Sequence, residues 1–226
     1  MSPLGRRLAL FDLDHTLLSG DSDVLWCEFL IAEGRLDRAT FEPRNRAMAE
    51  RYAQGIASPA EFCGFYAQTL TGLTAHSGLP LRQRFFEREI APRLPASARA
   101  LVAQHRARGD RLVLTTATNR FLTELTAADL GFDDLIATEL ETLDGAFTGR
   151  TLGTPSMREG KVERLDAWLA GQGLGAGLRS AATFYSDSAN DLPLLCAVAE
   201  PVLVDPDPAF EAQVAQRGWT VLRLAR

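Results

Sequence analysis

Short apolar runs alternate with longer stretches of helical spacing along most of this chain of 226 residues. The first run, RLALFD at 7–12, is apolar on both faces and ends in charge, as a short buried strand does. Five similar runs lie at 111–115, 135–138, 182–186, 201–204 and 219–224, and helical stretches lie at 96–108, 119–130, 160–171, 190–199 and 207–217. Residues 139–152 instead predict a β-hairpin, with Asp144 and Gly145 at its turn. Strands that alternate with helices predict an α/β fold with a doubly wound, Rossmann-like parallel sheet.

One long segment, residues 20–94, breaks this alternation. It contains no convincing strand, and its apolar residues recur at helical spacing. A helical insertion directly after the first strand would stand over the end of that strand, because the chain leaves the sheet there. We therefore predict two domains: an α/β core made of residues 1–19 and 95–226, and a helical bundle cap made of residues 20–94.

Charge and cysteine content exclude several classes of protein. A net charge of −5 and a pI near 5.3 argue against a broad nucleic-acid surface or an anionic-membrane surface, so we expect neither partner. The three cysteines are widely spaced without a CxxC pair, which favours a reducing cytoplasm over a disulfide framework or a zinc site. No apolar stretch reaches the length of a signal peptide or a transmembrane helix. These features predict a cytoplasmic protein, and they leave its oligomeric state open.

Chemically active side chains follow the predicted strands or start a predicted helix. The four segments are Asp12-Leu13-Asp14-His15-Thr16, Thr115-Thr116, Gly160-Lys161 and Tyr185-Ser186-Asp187-Ser188-Ala189-Asn190-Asp191. Because ligands of open α/β sheets bind outside the carboxyl ends of the strands, these segments are expected to converge on one edge. Together they offer four carboxylates, one ammonium group and several hydroxyls.

That combination suits phosphoryl transfer by a carboxylate nucleophile. A phosphate dianion repels a carboxylate, so the nucleophile needs neighbouring positive charge, which Mg²⁺ and Lys161 can supply. An aspartate nucleophile forms an aspartyl-phosphate that water then hydrolyses, and a second acid two residues along the chain can protonate the leaving alcohol. Each segment alone has an ordinary structural interpretation, as a turn, a strand end or a helix cap. Their occurrence together and in this order favours the catalytic interpretation.

The segment FDLDHT, at residues 11–16, resembles the first motif, DxDx[T/V], of the haloacid dehalogenase superfamily. The resemblance implies that Asp12 is the nucleophile and a metal ligand. It also implies that Asp14 is the acid/base, with its main-chain carbonyl as a ligand of Mg²⁺. LVLTTATNRF resembles the second motif, a strand that ends in Ser or Thr. That match places the phosphate-binding residue at Thr116 or, in the other register, at Thr115.

Two later segments resemble the third and fourth motifs. Gly160 and Lys161 match the third motif, whose lysine steadies the charge on the transferring group. YSDSANDLP matches the fourth, which implies Asp187 as a metal ligand, Asp191 as support for the metal shell and Asn190 beside the phosphate. All four motifs are present, so the chain is identified as a member of this superfamily. The resemblance implies Mg²⁺ as its cofactor and a small-molecule phosphate ester as its substrate.

The acid at Asp14 and the insertion at 20–94 indicate which branch of the superfamily the chain resembles. Dehalogenases of this superfamily lack an acid at the position of Asp14, so its presence implies a phosphatase or a phosphotransferase. The insertion resembles the small bundle cap of the phosphoserine-phosphatase-like branch. Such caps close over the site, exclude water during transfer and contact the leaving group.

Asp21 is the candidate residue for recognising the substrate. Phosphoserine phosphatases place an acid at a similar offset to hold the substrate amine, and they use a cap arginine for the substrate carboxylate. The matching stretch here, PAEFCGFYAQTL at 59–70, has no arginine, although Arg44 and Arg46 lie nearby in the sequence. A substrate carboxylate left unpaired would cost about 1–3 kcal/mol.

The longer string FDLDHTLLSGDSDVLWCEFL, with TATNRF and YSDSANDLPLL, is similar to a proteobacterial group described as histidinol-phosphate phosphatases. Histidinol phosphate carries an amine and an imidazole but no carboxylate, and an acidic, aromatic cap would suit it. Asp21 and Asp23 are candidates for the cations, and Trp26, Phe62 or Tyr66 for the ring, although packing inside the cap is the commoner role of such aromatics. We therefore place histidinol phosphate ahead of phosphoserine. The alternatives are a generalist phosphatase, transfer to an acceptor other than water, and a non-catalytic phospholigand-binding module.

Overall fold

In residues 7–226, which the computed structural model describes, seven strands join in one sheet. The strands are β1 (Leu8–Phe11), β2 (Arg111–Asn119), β3 (Asp134–Leu143), β4 (Ala146–Leu152), β5 (Thr183–Ser186), β6 (Glu200–Val204) and β7 (Thr220–Leu222). Their order is β4-β3-β2-β1-β5-β6-β7, and every neighbouring pair is parallel except β3 and β4. The predicted α/β fold with a mostly parallel sheet is therefore confirmed. β3 and β4 form the predicted hairpin, in which Asp144 and Gly145 have φ angles of 50° and 81° at the turn.

Helices accompany the sheet on both faces. They are α1 (Ser22–Ala32), α2 (Arg38–Ala53), α3 (Pro59–Ala67), α4 (Ala75–Phe85), α5 (Ala96–Ala107), α6 (Arg120–Leu130), α7 (Glu159–Gly171), α8 (Leu192–Leu195) and α9 (Pro208–Val214). The predicted helix at 190–199 is wrong in extent, since only a 3₁₀ turn at Ala189–Asp191 and the single turn of α8 form there. The chain must reverse after α8 because β6 begins at Glu200, which pairs with Thr183. Among the described residues, no helix is both long enough and apolar enough to cross a membrane.

The insertion between β1 and β2, residues 20–94, is helical, as predicted, and holds α1 to α4. Asp21 starts α1 by accepting a hydrogen bond from the Val24 backbone N–H at 2.9 Å. Ser58 starts α3 through a capping box with Glu61. A π-helical turn at Phe86–Ile90 follows α4 and leads the chain back towards the sheet.

Apolar side chains cover both faces of the sheet. On one face, β1 and β2 pack against α1, α4, α5 and α6 through residues that include Phe11 and Phe85. On the other face, the same strands pack against α7, α8 and α9 through residues that include Leu10, Leu165 and Phe210. The apolar core is therefore continuous across the predicted boundary between the cap and the core domain.

A third apolar cluster joins the helical insertion to the sheet and to the loop before α7. In this cluster, Ala57, Phe62 and Tyr66 of the insertion meet Ala117 of β2 and Met157 of the loop. The cluster seats the insertion beside the carboxyl end of β2, where Ala117 lies.

The sheet changes its winding direction at β1. From β1 the chain continues to β2 and β3 on one side, and it later crosses to β5, β6 and β7 on the other. The carboxyl ends of β1, β2 and β5 therefore border one crevice, which is where open α/β sheets bind ligands.

Candidate active site

The carboxyl ends of β1 and β5 bring two aspartates together at the Thr16 hydroxyl. Asp12 directly follows β1, and Asp187 directly follows β5. The Thr16 Oγ1 atom lies 3.2 Å from Asp12 Oδ2 and 2.9 Å from Asp187 Oδ1. The same oxygen accepts a hydrogen bond from the Asp187 N–H at 3.0 Å. Two carboxylates from neighbouring strands are thereby held within reach of one hydroxyl.

Lys161 is buried between two carboxylates. Its Nζ atom lies 2.6 Å from Asp12 Oδ1 and 2.6 Å from Asp191 Oδ2. Gly160 permits this approach, because a Cβ atom there would lie 2.1 Å from the Pro155 carbonyl oxygen. The start of α7 therefore delivers an ammonium group to the Asp12 side chain.

The Asp14 carboxylate is held separately from this cluster. Its Oδ1 atom accepts a hydrogen bond from the Ser22 N–H at 2.7 Å, and its Oδ2 atom accepts one from the Thr118 hydroxyl at 3.0 Å. The Thr118 oxygen also lies 3.0 Å from Asp23 Oδ2. Asp14 is thus anchored to the start of α1, so it has different surroundings from Asp12.

Burial and mutual repulsion raise the pKa values of the carboxyl groups. Burial raises the pKa of Asp12 well above its usual range, and Lys161 offsets only part of this effect. Burial also raises the pKa of Asp14 to about 6 and the pKa of Asp187 to about 7. Burial alone would lower the pKa of Lys161, but Asp12 and Asp191 outweigh it and raise that pKa, so the ammonium form is kept. The site therefore holds more negative charge than Lys161 balances.

The two candidate threonines of β2 are both buried, but their hydrogen bonds differ. Thr116 Oγ1 accepts a hydrogen bond from the Thr118 backbone N–H at 3.2 Å, which leaves the Thr116 hydroxyl proton free to be donated. The Thr115 hydroxyl oxygen has no partner among the described residues. Both hydroxyl protons are thus free to be donated, and Thr116 stays the predicted phosphate-binding residue with Thr115 as the alternative.

Asn190 is buried in the 3₁₀ turn after β5, directly before Asp191. Its Oδ1 atom accepts a hydrogen bond from Arg158 Nε at 2.9 Å, and its Nδ2 atom donates to the Tyr52 carbonyl oxygen at 3.3 Å. Arg158 was missed in the sequence, where it stands three residues before Lys161 and belongs to no motif. Asn190 is therefore in contact both with the loop before α7 and with the helical insertion.

A cavity of about 1040 Å³ lies between the sheet ends and the helical insertion. Asn190 lines it from the core side, and Val24 and Tyr52 line it from α1 and α2. The acidic residues of its lining are Asp21, Glu28, Glu50, Glu159, Asp187, Asp205 and Asp207. Within the described lining, Arg158 is the single arginine. The cavity therefore favours a ligand that carries positive charge in addition to its anionic group.

Several residues expected to contact the substrate do not line this cavity. Four of them are buried in the packing of the insertion: Asp23, Trp26, Phe62 and Tyr66. Large aromatic side chains fill the interior of the insertion, and the Trp26 indole donates to the Thr69 hydroxyl at 2.8 Å. Arg44 stacks on aromatic rings, and Arg46 pairs with Glu42 at the surface, so neither arginine reaches the cavity.

Tyr52 is the aromatic residue of the cavity wall that the sequence analysis missed. It lies near the end of α2 and stacks on Phe62 with ring centroids 4.2 Å apart. Burial raises the pKa of its phenol well above the usual range, and the negative charges of Asp191 and Asp12 add to the shift. The phenol therefore stays a neutral hydrogen-bond donor. A single tyrosine in a polar helical stretch cannot be recognised as a cavity residue from the sequence, because the direction of its side chain depends on how α2 packs.

The donors at this site fit Mg²⁺. In residues 7–226 no three His, Cys, Asp or Glu side chains are grouped so as to hold a metal by themselves. Mg²⁺ does not need such a group, because it keeps several waters and takes one or two carboxylates. Asp12 and Asp187 offer two carboxylates around the Thr16 hydroxyl, and burial, followed by neighbouring carboxylates such as Asp191, raises the pKa of both. Oxygen donors and excess negative charge are what a hard divalent cation requires.

Comparisons with known proteins agree with this geometry. A family model described as haloacid dehalogenase-like hydrolase matches residues 9–195. A histidinol-phosphatase of Neisseria meningitidis serogroup C (strain 8013) is 38% identical over 218 residues, which cover 96% of this chain and 98% of that protein. The crystal structure of a protein of unknown function from Bordetella pertussis Tohama I has a TM-score of 0.89 and 44% identity, over 96% of this chain and 98% of that chain.

A more distant solved structure shares the fold. It is a substrate-bound phosphoserine phosphatase, with a TM-score of 0.67 and 16% identity over 92% of this chain and 90% of that chain. The family model spans most of the chain and includes the segments that carry Asp12, Lys161 and Asp187. The chain therefore belongs to the haloacid dehalogenase-like hydrolase family, as a phosphatase with a phosphoserine-phosphatase-like fold.

Proposed function

We propose that this protein is a Mg²⁺-dependent phosphomonoesterase that works through an aspartyl-phosphate on Asp12. The observation that supports the proposal most directly is the different setting of two aspartates that are two residues apart. Asp12 lies 2.6 Å from the Lys161 ammonium group, whereas Asp14 is held by Ser22 at the start of α1 and by Thr118 of β2. In this proposal Asp12 attacks phosphorus, and Asp14 exchanges a proton with the leaving group.

In the first half-reaction the Asp12 carboxylate attacks the phosphorus atom. A bond forms between an Asp12 oxygen and phosphorus, and the bond from phosphorus to the ester oxygen breaks. Asp14, whose pKa is raised to about 6, donates its proton to the departing ester oxygen, so a neutral alcohol leaves. Lys161, Thr116 and the Asn190 amide stabilise the phosphoryl oxygens as their charge redistributes.

The second half-reaction reverses the movement of the proton. Asp14 is now ionised and accepts a proton from the water molecule that attacks the phosphorus of the aspartyl-phosphate. The bond between phosphorus and the Asp12 oxygen breaks, which releases inorganic phosphate and restores the Asp12 carboxylate. Asp14 ends protonated, ready for the next ester.

Mg²⁺ would be held by the Asp12 and Asp187 carboxylates and by the Asp14 main-chain carbonyl, with Asp191 supporting this set of ligands. When bound, the ion supplies the positive charge that lets an anionic ester approach a carboxylate nucleophile. The Thr16 hydroxyl orients Asp12 and Asp187 through its contacts at 3.2 and 2.9 Å. Asp14 Oδ1 and Oδ2 are then left for the proton transfers, because their hydrogen-bond donors are Ser22 and Thr118 and not the Thr16 hydroxyl.

The helical insertion, residues 20–94, serves as the cap in this proposal, and the substrate is a small amine-bearing phosphate ester. Asp21 is the proposed partner of the amine, because it lines the acidic cavity at the start of α1. A phosphoserine carboxylate finds little support there, since Arg158 already donates to Asn190 and to backbone carbonyls. The 38% identity to a histidinol-phosphatase supports L-histidinol phosphate as the best candidate.

The test replaces Asp12 by Asn and follows the release of inorganic phosphate. The substrates are p-nitrophenyl phosphate, histidinol phosphate, phosphoserine and a sugar phosphate, each with Mg²⁺ and with EDTA. We expect Asp12→Asn to lower kcat by about 10³-fold or more for every ester, because the covalent step is lost. EDTA should abolish turnover by the unmodified protein.

The matched control is Asp144→Asn, which removes a carboxylate from an exposed hairpin turn where Asn-Gly is equally suitable. Turnover by Asp12→Asn at the level of that control would contradict the proposed nucleophile. Equal slow turnover of all four esters would contradict the preference for histidinol phosphate. A phosphorylated acceptor in place of free phosphate would indicate a phosphotransferase.

A further inference from the structure

The loop before α7 makes a polar contact between the helical insertion and the catalytic core. Arg158, at the end of this loop, donates from Nε to Asn190 Oδ1 at 2.9 Å. Its Nη2 atom donates to the carbonyl oxygens of Gly55 and Ala57 at 2.7 and 3.0 Å. Both carbonyls belong to the turn between α2 and α3. One guanidinium therefore connects the cap directly to a residue of the proposed phosphate site.

The backbone around Arg158 is adapted to this contact. Arg158 has φ 54° and ψ −126°, a conformation that residues other than glycine rarely adopt. The preceding residue, Met157, is buried against Ala57 and Phe62 in the third apolar cluster. Such a conformation persists only where the surroundings determine it, and here apolar packing and three side-chain hydrogen bonds do so.

We propose that Arg158 is a positioning residue that links the seating of the cap to the orientation of the Asn190 amide. The proposal rests on the proposed function, in which Asn190 binds the phosphate. Arg158 does not contact the reacting atoms itself. It acts through Asn190. Its Nε atom binds the Asn190 side chain, and its Nη2 atom binds the turn of the cap.

The orientation of the Asn190 amide matters because a phosphate accepts hydrogen bonds and cannot donate any as a dianion. A carboxamide that is free to rotate presents its oxygen or its nitrogen. Arg158 can only donate, so it fixes the Asn190 oxygen on its own side and leaves Nδ2 facing away. The current partner of Nδ2 is the Tyr52 carbonyl oxygen at the long distance of 3.3 Å. A phosphoryl oxygen can replace so weak a partner. Tyr52 belongs to α2 of the cap, so this replacement gives up one long cap contact, while the two shorter contacts from Arg158 to the cap remain.

The seating of the cap affects the Asn190 amide because one rigid guanidinium, that of Arg158, binds both. The guanidinium is planar, so Nε and Nη2 reach Asn190 and the two carbonyls together only when the turn at 54–58 is seated on the core. A cap that lifts away removes the partners of Nη2 and frees the side chain of Arg158. Phosphate binding and cap seating therefore favour each other.

The first experiment is a double-mutant cycle with Arg158→Met and Asn190→Ala, measured as kcat/KM for p-nitrophenyl phosphate. We expect each single variant to lose about tenfold, and the double variant to lose no more than Asn190→Ala alone, because coupled residues are not additive. Arg38→Met is the matched comparison, since it removes an exposed arginine of the cap that pairs with Glu42 and does not contact the turn at 54–58. It should lose nothing by itself and should leave the loss of Asn190→Ala unchanged. If the losses of Arg158→Met and Asn190→Ala multiply in the double variant, the proposal is wrong.

The second experiment follows cap seating without turnover. Ile56 is an exposed apolar residue in the turn at 54–58, and thermolysin cleaves before such residues. Inorganic phosphate should slow cleavage at Ile56 in the unmodified protein and in Arg38→Met, which removes an exposed arginine of α2. It should give no protection in Arg158→Met or in Arg158→Lys, which keeps the charge but lacks the fork. Equal protection in all four proteins would overturn the proposal.

These two readouts separate this proposal from the proposed function. Protection by phosphate that depends on Arg158, in a protein that hydrolyses none of the esters, would contradict the phosphatase activity and support the coupling. Normal hydrolysis with additive losses and unchanged protection would contradict the coupling alone. Thermal unfolding of each variant shows whether it is folded, and Arg158→Lys replaces Arg158→Met in the cycle if the latter is not.

Discussion

The core side and the cap side of the candidate active site, called here the core wall and the cap wall, differ in how their charged side chains are held. Asp187 lines the cavity itself, whereas Asp12 and Lys161 are buried and lie outside its lining. On the core wall, Asp12, Asp187 and Lys161 are fixed by hydrogen bonds that join three different elements of the fold. On the cap wall, Glu28 and Glu50 are exposed on the surfaces of α1 and α2. The fold thus fixes the groups proposed to react, whereas exposed cap side chains can be exchanged without disturbing it. Substitutions on the core wall should reduce turnover of every ester, and those on the cap wall should affect some esters only.

The largest effect is expected from Lys161→Met on the core wall. The substitution leaves Asp12 and Asp191 without the ammonium group that lies 2.6 Å from both. We expect kcat to fall by about 10³-fold for every ester, since the charge on the phosphoryl group loses its partner. We also expect the free energy of unfolding to fall by about 3–5 kcal/mol, because two buried charges become unpaired. Phosphate release and urea denaturation measure the two effects.

A double variant separates the loss of stability from the loss of catalysis. Replacing Asp191 by Asn in the Lys161→Met background removes one of the two unpaired carboxylates. Much of the lost stability should return, because the charge balance around Asp12 improves, but kcat should stay low. A kcat that recovers together with stability would show that Lys161 acts only by supporting the fold.

The next largest effect concerns the register of the two threonines on β2. We expect Thr116→Val to lower kcat by about 10–100-fold, because a donor to the phosphoryl oxygens is lost. Thr115→Val should change kcat by less than about threefold and should not destabilise the protein, since the buried Thr115 oxygen has no partner among the described residues to lose. The opposite ranking of the two variants would assign the phosphate contact to Thr115.

The core wall could be predicted from the sequence because Asp12 and Asp187 follow the ends of parallel strands and Lys161 lies at the start of a helix. Lys161 and Asp12 are 149 residues apart in the chain, and the structure places them 2.6 Å apart. The fold brings these segments together at the edge of the sheet, so short local motifs were sufficient to predict the site. The same argument placed Asp187 opposite Asp12, because β1 and β5 are parallel neighbours in the sheet.

The cap wall could not be predicted in the same way. Trp26 and Phe62 stand out in the sequence, but large apolar side chains are most stable inside the insertion, and both are buried there. Tyr52 lines the cavity because α2 packs with that face towards the core, which depends on contacts far along the chain. Arg158 likewise acquires its role only when the turn at 54–58 comes to rest beside it.

Asp21→Asn tests the cap wall, with a smaller effect that depends on the substrate. We expect KM to rise about tenfold for an amine-bearing ester such as histidinol phosphate, because a charged hydrogen bond becomes a neutral one. KM for p-nitrophenyl phosphate should stay unchanged. Asparagine caps helices as well as aspartate does, so α1 should remain intact.

Asp37→Asn provides the matched control for this variant, since Asp37 caps α2 in the same manner at the surface. That variant should keep wild-type KM for both esters. An equal rise of KM for the aryl ester and the amine-bearing ester in Asp21→Asn would show that Asp21 acts on the phosphate end of the site, and the comparison of the two walls would then fail.

The smallest effect expected is on stability, from the carboxyl group of Asp187 in the absence of metal. Burial raises its pKa from 3.8 to about 7, so the folded protein binds more protons than the unfolded chain between these values. Stability in EDTA should therefore fall as the pH rises from about 4 to about 7. Because solvent still reaches Asp187, we expect this group to contribute about 1–2 kcal/mol to the decline.

Urea denaturation in EDTA at several pH values, on the unmodified protein and on Asp187→Asn, measures that contribution as the difference between their slopes. Asp144→Asn should keep the slope of the unmodified protein. Mg²⁺ should add more stability at pH 8 than at pH 5, because the cation binds the ionised form of the carboxylates, and this difference should shrink in Asp187→Asn. If Mg²⁺ stabilises both proteins equally at both pH values, Asp187 is not one of its ligands. Binding of Mg²⁺ at Asp187 would then not explain the excess negative charge of the core wall.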